Sequence, residues 1–336
     1  MRNIANLSTK GRQELFIATA EKMQIAEAIV EKDFWVCFTL DYLFHDCKWK
    51  QAFAFKGGTS LSKAYNLIER FSEDIDLILD WRVLGYTKNE PWDERSNTQQ
   101  QKFLKDANER LFRFLKNDFL PEFQKDMKDL VNEEINVYIS DNDPGTVRFV
   151  YPHSFSNDAI LNEIRLEIGA MAAWTPTKNV TIKSYAAEYY PQIFNQIETE
   201  ILTTTPERSF WEKATILHQE AFRPEGSKVP SRYSRHYYDL YCMCKSGIKD
   251  SAIKMPELLT AVADFKAKFY PRNWARYELA RAGKLKLMPP KHSIEALKSD
   301  YVAMKSMIYG EYVGFDDILV EIEELEIEIG KEIGHD

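Results

Sequence analysis

Residues 52–80 read AFAFKGGTSLSKAYNLIERFSEDIDLILD, and this stretch decides the predicted fold. A short apolar run, AFAF, is interrupted by KGG, and Thr59 or Ser60 can cap the helix that follows. The apolar positions of that helix recur every three or four residues as far as Ile68. From Phe71 the apolar residues alternate instead, so the sequence predicts a strand, a glycine turn, a helix and a second strand.

Two carboxylates occupy alternate positions of the second predicted strand. Residues two apart share a face of a strand, so Ser72, Asp74 and Asp76 should project together. Paired carboxylates repel each other unless a cation lies between them, and Mg²⁺ is usually held by one or two carboxylates together with substrate phosphates. Gly57 and Gly58 allow close approach of the backbone to a ligand, and a helix start favours an anion. The stretch therefore predicts a site for a metal ion and a phosphate.

Each half of this pattern has an ordinary explanation when it is taken alone. Gly-Gly-Thr is a common turn, and Asp-x-Asp usually lies on a solvated strand edge. A glycine turn and paired aspartates that are joined by one helix in a short unit favour a nucleotidyltransferase site instead.

The same letters carry a resemblance to a known family. KGGTSLSK followed by RFSEDIDL resembles the first motif of the AbiEii/AbiGii nucleotidyltransferases, a branch of the polymerase-β-like superfamily. The interval between Gly58 and Asp74 is longer than the general superfamily pattern. It matches the AbiEii branch better than the small antibiotic-modifying branch. The resemblance covers motif blocks from Lys56 to Tyr241.

The resemblance implies a third carboxylate on a neighbouring strand. RLEIGA is similar to the family segment at that place, and Glu167 takes the position of the third metal ligand, in direct contact or through water. The alternative is a charged outer strand face on which Arg165 pairs with Glu163 or Glu167.

Two later segments resemble the remaining motifs of the family. ERSFWEK places Lys213 at the lysine position, where it would neutralise triphosphate charge. RHYYDLY places Asp239 as a catalytic or lysine-orienting carboxylate, with Arg232 or Arg235 as phosphate contacts. The alternatives are a surface lysine and a local helix pair between Arg235 and Asp239.

The resemblance implies a toxin of a bacterial toxin–antitoxin or phage-defence system, with a separately encoded antitoxin. It would transfer a nucleoside monophosphate from an NTP to an acceptor, with the 3′ end of tRNA as the first choice, using Mg²⁺ or Mn²⁺ and releasing pyrophosphate. The implied catalytic residues are Asp74, Asp76, Glu167, Lys213 and Asp239, and the first three would hold the metal. The implied nucleotide-binding residues are Lys56, Gly57, Gly58, Thr59, Ser60, Lys63, Ser72 and Arg235. Transfer to a protein or small molecule, and nucleotide sensing without transfer, are the alternatives.

Composition sets the wider expectations. A chain of 336 residues with 44% hydrophobic and 13% aromatic residues can bury two cores. We expect an α/β (α+β) protein: a polymerase-β-like nucleotidyltransferase lobe with a mixed sheet over residues 1–204, and a mostly helical lobe over 205–336 that completes the active site. The net charge of −8 does not favour broad nucleic-acid binding. The four cysteines show neither zinc nor disulfide spacing, and no apolar run could span a bilayer, so a cytoplasmic protein without membrane contact is expected.

The flanking regions give weaker signals. Residues 8–31 and 33–46 predict two helices joined by Glu31-Lys32-Asp33, with Lys32 on a solvated face or, alternatively, in a catalytic role. Residues 198–204 predict a strand at the sheet edge, and His218 and His236 are interpreted as structural. Residues 266–291 mix basic and aromatic side chains, a pattern typical of RNA contact or of a helix with a basic outer face. The last helix is expected to pack through its isoleucines and leave its acids in water.

Overall fold

A computed structural model describes residues 1–157, 160–171 and 175–334. The chain divides into two compact units, and neither is a single continuous segment. The first unit contains Met1–Ala64 and Phe71–Thr204, and the second contains Tyr65–Arg70 and Thr205–Asp336. Within the described ranges, no helix is both long and apolar enough to cross a membrane.

The first unit is built on a mixed sheet, which has seven strands in the described residues. The strands are β1 (Phe53–Lys56), β2 (Asp74–Leu79), β3 (Asn136–Ser140), β4 (Asp143–Val150), β5 (Ile164–Gly169), β6 (Thr177–Lys183) and β7 (Glu198–Thr204). Their order across the sheet is β3-β4-β5-β2-β1-β7-β6. β2 runs parallel to β5, β1 runs parallel to β7, and the other neighbours are antiparallel. This sheet, followed by a mostly helical C-terminal part, confirms the predicted α/β fold.

β7 lies inside the sheet, so the prediction of an edge strand at residues 198–204 was wrong. β6 occupies that edge instead. Although β7 is rich in threonine, Thr203 is fully buried and its hydroxyl donates to the carbonyl of Phe55 at 3.0 Å. A hydroxyl with a hydrogen-bond partner can be buried at little cost, so a polar composition does not mark this strand as an edge.

Helices of the first unit precede, interrupt and follow the sheet strands. They are α1 (Arg2–Ala5), α2 (Thr9–Met23), α3 (Glu27–His45), α4 (Gly57–Lys63), α5 (Asn97–Phe114), α6 (Leu120–Leu130) and α7 (Tyr185–Tyr189). α3 packs against β5 and β7, and its Trp35 stacks on Tyr151 and meets the edge of Phe149 in the core. α3 is therefore the central helix of this unit.

The break between the first two long helices lies six to eight residues before its predicted position, because α2 ends at Met23 and α3 begins at Glu27. Gln24, the residue after α2, adopts a left-handed conformation with φ 56° and donates its N–H to the carbonyl of Ala20. Neither glycine nor proline marks this break, so the helical pattern conceals it. Consequently Glu31-Lys32-Asp33 is not a linker but a buried part of α3.

The helix of the glycine motif is shorter than predicted. α4 begins at Gly57 and ends at Lys63, so Thr59 and Ser60 lie inside the helix and do not cap it. The following apolar residues do not extend it, because Tyr65–Arg70 belongs to the second unit, where Ile68 is buried and Arg70 forms a β-bridge with Ile308. Tertiary contacts of this segment override its helical periodicity.

The second unit is helical. Its helices are α8 (Pro206–Ala221), α9 (Ser234–Cys244), α10 (Ile248–Ile253), α11 (Pro256–Phe269), α12 (Tyr277–Arg281), α13 (Ile294–Ala303) and α14 (Phe315–Glu332). Thr205 caps α8, since its side chain accepts the N–H of Arg208. α9 packs against α8, α13 and α14, so the segment RHYYDLY lies at the centre of this unit.

The acidic helix α14 is held by lysines of its own unit. Ile318, Ile322 and Ile329 are buried, as expected, whereas Ile327 is exposed. The acids of α14 are not all left in water. Glu321 pairs with Lys245, Glu328 with Lys249 at 2.7 Å, and Glu326 with Lys286 at 3.2 Å. Lys286 belongs to the basic stretch 266–291, so part of that stretch has an acidic partner, and RNA contact there stays a prediction.

Candidate active site

The three predicted carboxylates are on two adjacent strands. In the parallel pairing of β2 with β5, Asp74 lies opposite Arg165 and Asp76 lies opposite Glu167. On its other side Asp76 lies opposite Lys56, the last residue of β1. Because paired residues in a sheet share a face, the register brings the first motif and RLEIGA together.

Gly57 makes room for the carboxylate of Asp76. It has φ +82°, and a Cβ built on it would lie 1.9 Å from Asp76 Oδ2 and 2.6 Å from Asp76 Cγ. Any side chain at this position would therefore displace the carboxylate, quite apart from the strain of the left-handed backbone. The glycine motif and the aspartate motif are thus parts of one arrangement.

We expect Gly57→Ala to lower the rate of the nucleotidyl transfer that the sequence predicts about 100-fold, because the added methyl group would push Asp76 out of place by ångström distances. Steady-state kinetics with matched thermal denaturation would measure this. Gly247→Ala is the control, since a Cβ at Gly247 would meet no atom within 4 Å. Retention of wild-type turnover by Gly57→Ala would show that the position of Asp76 does not matter.

Asp74 carries a buried oxygen with no hydrogen bond. Its Oδ1 has no hydrogen-bond partner within the described part of the chain, and Arg165 Nη1 is 3.7 Å away. Burial raises the pKa of Asp74, Arg165 opposes the rise, and Glu73 and Asp76 add to it. A carboxylate that is both buried and short of donors is a ready partner for a cation.

The sequence analysis considered Arg165 only as an ion-pair partner of Glu163 or Glu167. It contacts Glu167 at 3.1 Å and Asp143 at 3.6 Å, besides its approach to Asp74. The ion pair with Glu167 that the alternative interpretation anticipated is therefore present, and the Glu167 side chain is 40% exposed. Among the described residues no group of three or more His, Cys, Asp or Glu is arranged to hold a metal ion. The role of Glu167 as a metal ligand stays a prediction.

The hydroxyl groups of the glycine motif hold the motif itself. The Thr59 hydroxyl donates to the Asp74 carbonyl at 2.5 Å and lies 3.0 Å from Ser72 Oγ, and the Ser60 hydroxyl donates to the Gly57 carbonyl at 2.8 Å. The contacts of Thr59 attach α4 to the start of β2, and the bond of Ser60 lies within α4. Contacts of these residues, and of Gly58, with a nucleotide stay predictions.

Lys63 has a protein partner in this structure. Its Nζ lies 2.7 Å from Asp33 Oδ1 and 3.9 Å from the centre of the Tyr185 ring, and its side chain is buried. Burial alone would lower the pKa of Lys63, but the Asp33 carboxylate raises it, so the ammonium stays charged. Its predicted contact with the triphosphate stays a prediction.

The sequence analysis placed Glu31 at the junction of two helices, but Glu31 lies inside α3, two residues before Asp33. It is buried and accepts the backbone N–H groups of Ser154 and Phe155. Burial raises the pKa of Glu31 to about 7, although these hydrogen bonds oppose the rise. This carboxyl group therefore binds a proton more tightly in the folded state than in the unfolded chain.

We expect the free energy of unfolding to fall by roughly 3 kcal/mol between pH 4.5 and pH 7 on account of Glu31. Its contribution is complete below the unfolded pKa of 4.5 and is lost as the pH rises through the folded pKa of about 7. Glu31→Gln, which stays neutral and can still accept the N–H groups, should remove this slope. Urea denaturation at pH 5 and pH 7 would measure it. An unchanged slope in the variant would assign the effect to another group.

The two later motifs meet in a buried cluster within the second unit. Lys213 Nζ lies 2.7 Å from Asp239 Oδ2 and 3.3 Å from His236 Nδ1. Arg70 binds the same carboxylate with two donors, Nε to Oδ1 at 2.6 Å and Nη2 to Oδ2 at 2.9 Å. The Lys213 side chain is only 10% exposed, so it is not a surface lysine. Arg70 and Lys213, rather than a local pair with Arg235, hold Asp239.

Burial and the neighbouring cations set the protonation states of Asp239 and His236 in this cluster. Burial alone would raise the pKa of Asp239, but Arg70 and Lys213 hold it far below its usual range. Burial and the neighbouring cations lower the pKa of His236 well below 6.5, so its ring is neutral. Sequence reasoning missed Arg70 and His236 as partners of the motif residues. Both stand inside the quoted motif letters, RFSEDIDL and RHYYDLY, and that is the signal that could have found them.

His218 has a structural role, as the sequence analysis predicted. His218 Nε2 lies 3.0 Å from the carbonyl of Arg276, and its Nδ1 accepts the N–H of Lys286 at 2.9 Å. Burial lowers its pKa, which keeps the ring neutral. Both ring nitrogens are therefore used to join α8 to the segment around α12.

A glycine turn against paired strand aspartates, with a buried Lys–Asp pair later in the chain, is the arrangement expected of a nucleotidyltransferase. The sequence profile described as "Nucleotidyl transferase AbiEii toxin, Type IV TA system" matches residues 41–320. The chain therefore belongs to the AbiEii family of nucleotidyltransferase toxins of type IV toxin–antitoxin systems, and it is a nucleotidyltransferase.

Comparisons with solved structures give distant matches. JHP933 from Helicobacter pylori is 14% identical, with a TM-score of 0.43 and coverage of 92% of this chain and 94% of that chain. MenT4, a nucleotidyltransferase toxin from Mycobacterium tuberculosis H37Rv, is 12% identical, with a TM-score of 0.47 and coverage of 95% and 97%. No curated protein sequence matches the chain.

Proposed function

We propose that this enzyme transfers a nucleoside monophosphate from an NTP to an acceptor hydroxyl, in a reaction that depends on Mg²⁺ or Mn²⁺. The acceptor oxygen forms a bond to the α-phosphorus, the bond from that phosphorus to the bridging oxygen breaks, and pyrophosphate leaves. The observation that carries the proposal is the space that Gly57 leaves for the carboxylate of Asp76. On the same strand, the buried Oδ1 of Asp74 has no hydrogen-bond partner among the described residues.

The residues present fit a hard divalent cation. Asp74 offers a buried oxygen that lacks a hydrogen bond, and Gly57 leaves space for the carboxylate of Asp76. Oxygen donors of this kind suit Mg²⁺ and Mn²⁺. We propose that these two aspartates hold the metal, with Glu167 as a third ligand. When bound, the ion would neutralise triphosphate charge and make an attacking hydroxyl easier to deprotonate.

The chain's own groups would bind and orient the nucleotide. We assign the triphosphate to the glycine motif, from Lys56 to Ser60, with Lys63 and Ser72 beside it. Glu167, which is half-exposed, would accept the proton of the acceptor hydroxyl. We assign Lys213 and Arg235 to phosphate charge, and Asp239 to holding Lys213 in position, as its 2.7 Å contact supports.

The acceptor is proposed to be the 3′ end of tRNA, by analogy with the family alone. Membership in a type IV toxin–antitoxin family supports an antitoxin, which we propose to be separately encoded, as a partner. A cytoplasmic location and a role in phage defence are proposed by analogy with the family alone. Transfer to a protein or a small molecule is the rival acceptor assignment.

The test uses purified enzyme, Mg²⁺, total tRNA and each α-labelled NTP in turn, with Asp76→Asn as the control. Label on tRNA that is absent with the variant would support the reaction, the acceptor and the metal residues together. Label on protein alone would overturn the tRNA assignment. NTP binding without any transfer to tRNA, protein or small molecule would overturn catalysis and favour a nucleotide-sensing module.

A further inference from the structure

One turn of α3 buries three consecutive charged residues in the first unit. Glu31 and Lys32 are fully buried, and Asp33 is 3% exposed. Burial of a charge is expensive unless that charge is paired and hydrogen-bonded. Each of the three has partners, and the partners of each lie on different segments of the chain. We name this group the α3 charged turn.

Lys32 joins the segments that lead into two strands. Its Nζ donates to Glu73 Oε2 at 2.5 Å and to the carbonyl of Leu161 at 2.8 Å. Glu73 directly precedes β2, and Leu161 lies three residues before β5. These are the two parallel strands on which Asp74 and Asp76 lie opposite Arg165 and Glu167. One ammonium group therefore ties together the entry ends of both carboxylate-bearing strands.

The other two members hold neighbouring pieces of the same region. Glu31 accepts the N–H groups of Ser154 and Phe155, in the chain that leads from β4 towards β5. Asp33 accepts from Lys63, the last residue of α4, and from the N–H of Tyr185 at the start of α7. α4 begins at Gly57, so the charged turn contacts the last residue of the helix that carries the glycine motif, the segment before β2 and the approach to β5.

We propose that the α3 charged turn is the positioning centre of the metal site, and that Lys32 is the positioning residue that sets the spacing of β2 and β5 at their entry ends. This inference rests on the proposed function, because it concerns the residues assigned to the metal. Lys32 acts through Glu73 and through the backbone at Leu161, and it is not itself a catalytic residue.

Geometry, rather than net charge, is the reason for this role. Glu73 neutralises Lys32 locally, so the pair adds no net charge beside Asp74. The ammonium can donate several hydrogen bonds at once, which lets it bridge a carboxylate on one segment and a carbonyl on another. An apolar side chain of similar length would fill the space and make neither bond. The spacing of β2 and β5 would then depend on the backbone hydrogen bonds between them.

The test measures direct binding of Mn²⁺ to the full chain by electron paramagnetic resonance, without any nucleotide or acceptor. Lys32→Met should raise the dissociation constant about tenfold, as loss of the groups that orient metal ligands does elsewhere. Lys32→Met/Glu73→Met replaces the whole pair by apolar side chains, which folded proteins often tolerate. It should bind Mn²⁺ as weakly as the single variant.

The matched control is Asp41→Leu on the same helix. Asp41 is buried and accepts from Thr199 of β7 and from Gln196, so it ties α3 to a strand that carries none of the carboxylates. We expect its Mn²⁺ affinity to stay within about twofold of wild type, because the entry ends of β2 and β5 keep their tie.

Each other outcome contradicts a stated part of the inference. Wild-type affinity in Lys32→Met would overturn the positioning role. Recovery of affinity in the double variant would show that the carboxylate of Glu73, deprived of Lys32, and not the lost bridge, caused the weakening. Equal weakening in Asp41→Leu would assign the effect to α3 as a whole. Absence of Mn²⁺ binding by the wild-type chain would overturn the metal assignment of the proposed function, and this inference with it.

Discussion

Asp76→Asn is expected to lower nucleotidyl transfer roughly 1,000-fold while the fold is kept. Asparagine has nearly the shape of aspartate, so it still fits over Gly57, where a Cβ would lie 1.9 Å from Asp76 Oδ2. It removes a negative charge from the strand position opposite Glu167. In the proposed metal site, loss of that charge would remove one of the hard anionic ligands that divalent cations such as Mg²⁺ prefer.

The measurement is transfer of labelled NMP over a range of Mg²⁺ concentrations, with thermal denaturation as the check of folding. Glu200→Gln is the control, because it removes a carboxylate from β7 of the same sheet, where Glu200 accepts from Asn179. We expect this control to keep wild-type activity. Activity of Asp76→Asn comparable to that of the control would remove Asp76 from the site.

Asp239→Asn is expected to lower the free energy of unfolding by about 3–5 kcal/mol. The carboxylate is fully buried and balances two buried cations, Arg70 and Lys213. The neutral amide would remove the counter-charge that Asp239 gives to both cations at a buried position. Removal of one member of a buried ion pair costs far more than the pair itself contributes.

Urea denaturation at pH 7 would measure this loss. The pKa of Asp239 is far below 3.8 in the folded state, so its contribution is complete at pH 7 and disappears only as the pH falls below 3.8. Asp264→Asn is the control in the same unit, since Asp264 pairs with Arg281 at the exposed surface and should contribute no more than about 1 kcal/mol. Similar losses in the two variants would show that burial of Asp239 does not make its charge essential.

The local patterns of the sequence were sufficient for much of the fold. The alternation of apolar and polar residues predicted β2, and the strand predicted at residues 198–204 coincides with β7. Thr205 caps α8 and Pro206 begins it, as such residues do at helix starts. These features depend on neighbours along the chain, and the sequence alone contains that information. The left-handed Gln24 has no glycine or proline signal in the sequence. The end of α4 at Lys63 and the interior position of β7 follow from contacts with distant segments.

In the candidate site, too, some features depend on the local sequence and others on contacts between distant segments. The sequence by itself determined which letters form the motifs, the alternation that turns Asp74 and Asp76 to one face, and membership in the AbiEii family. Only the tertiary structure decided that Gly57 admits the Asp76 carboxylate and that Lys32 is buried against Glu73. A charged residue has the same letter whether water or a counter-ion surrounds it. Its role depends on partners that lie far away in the chain, and folding alone brings those partners together.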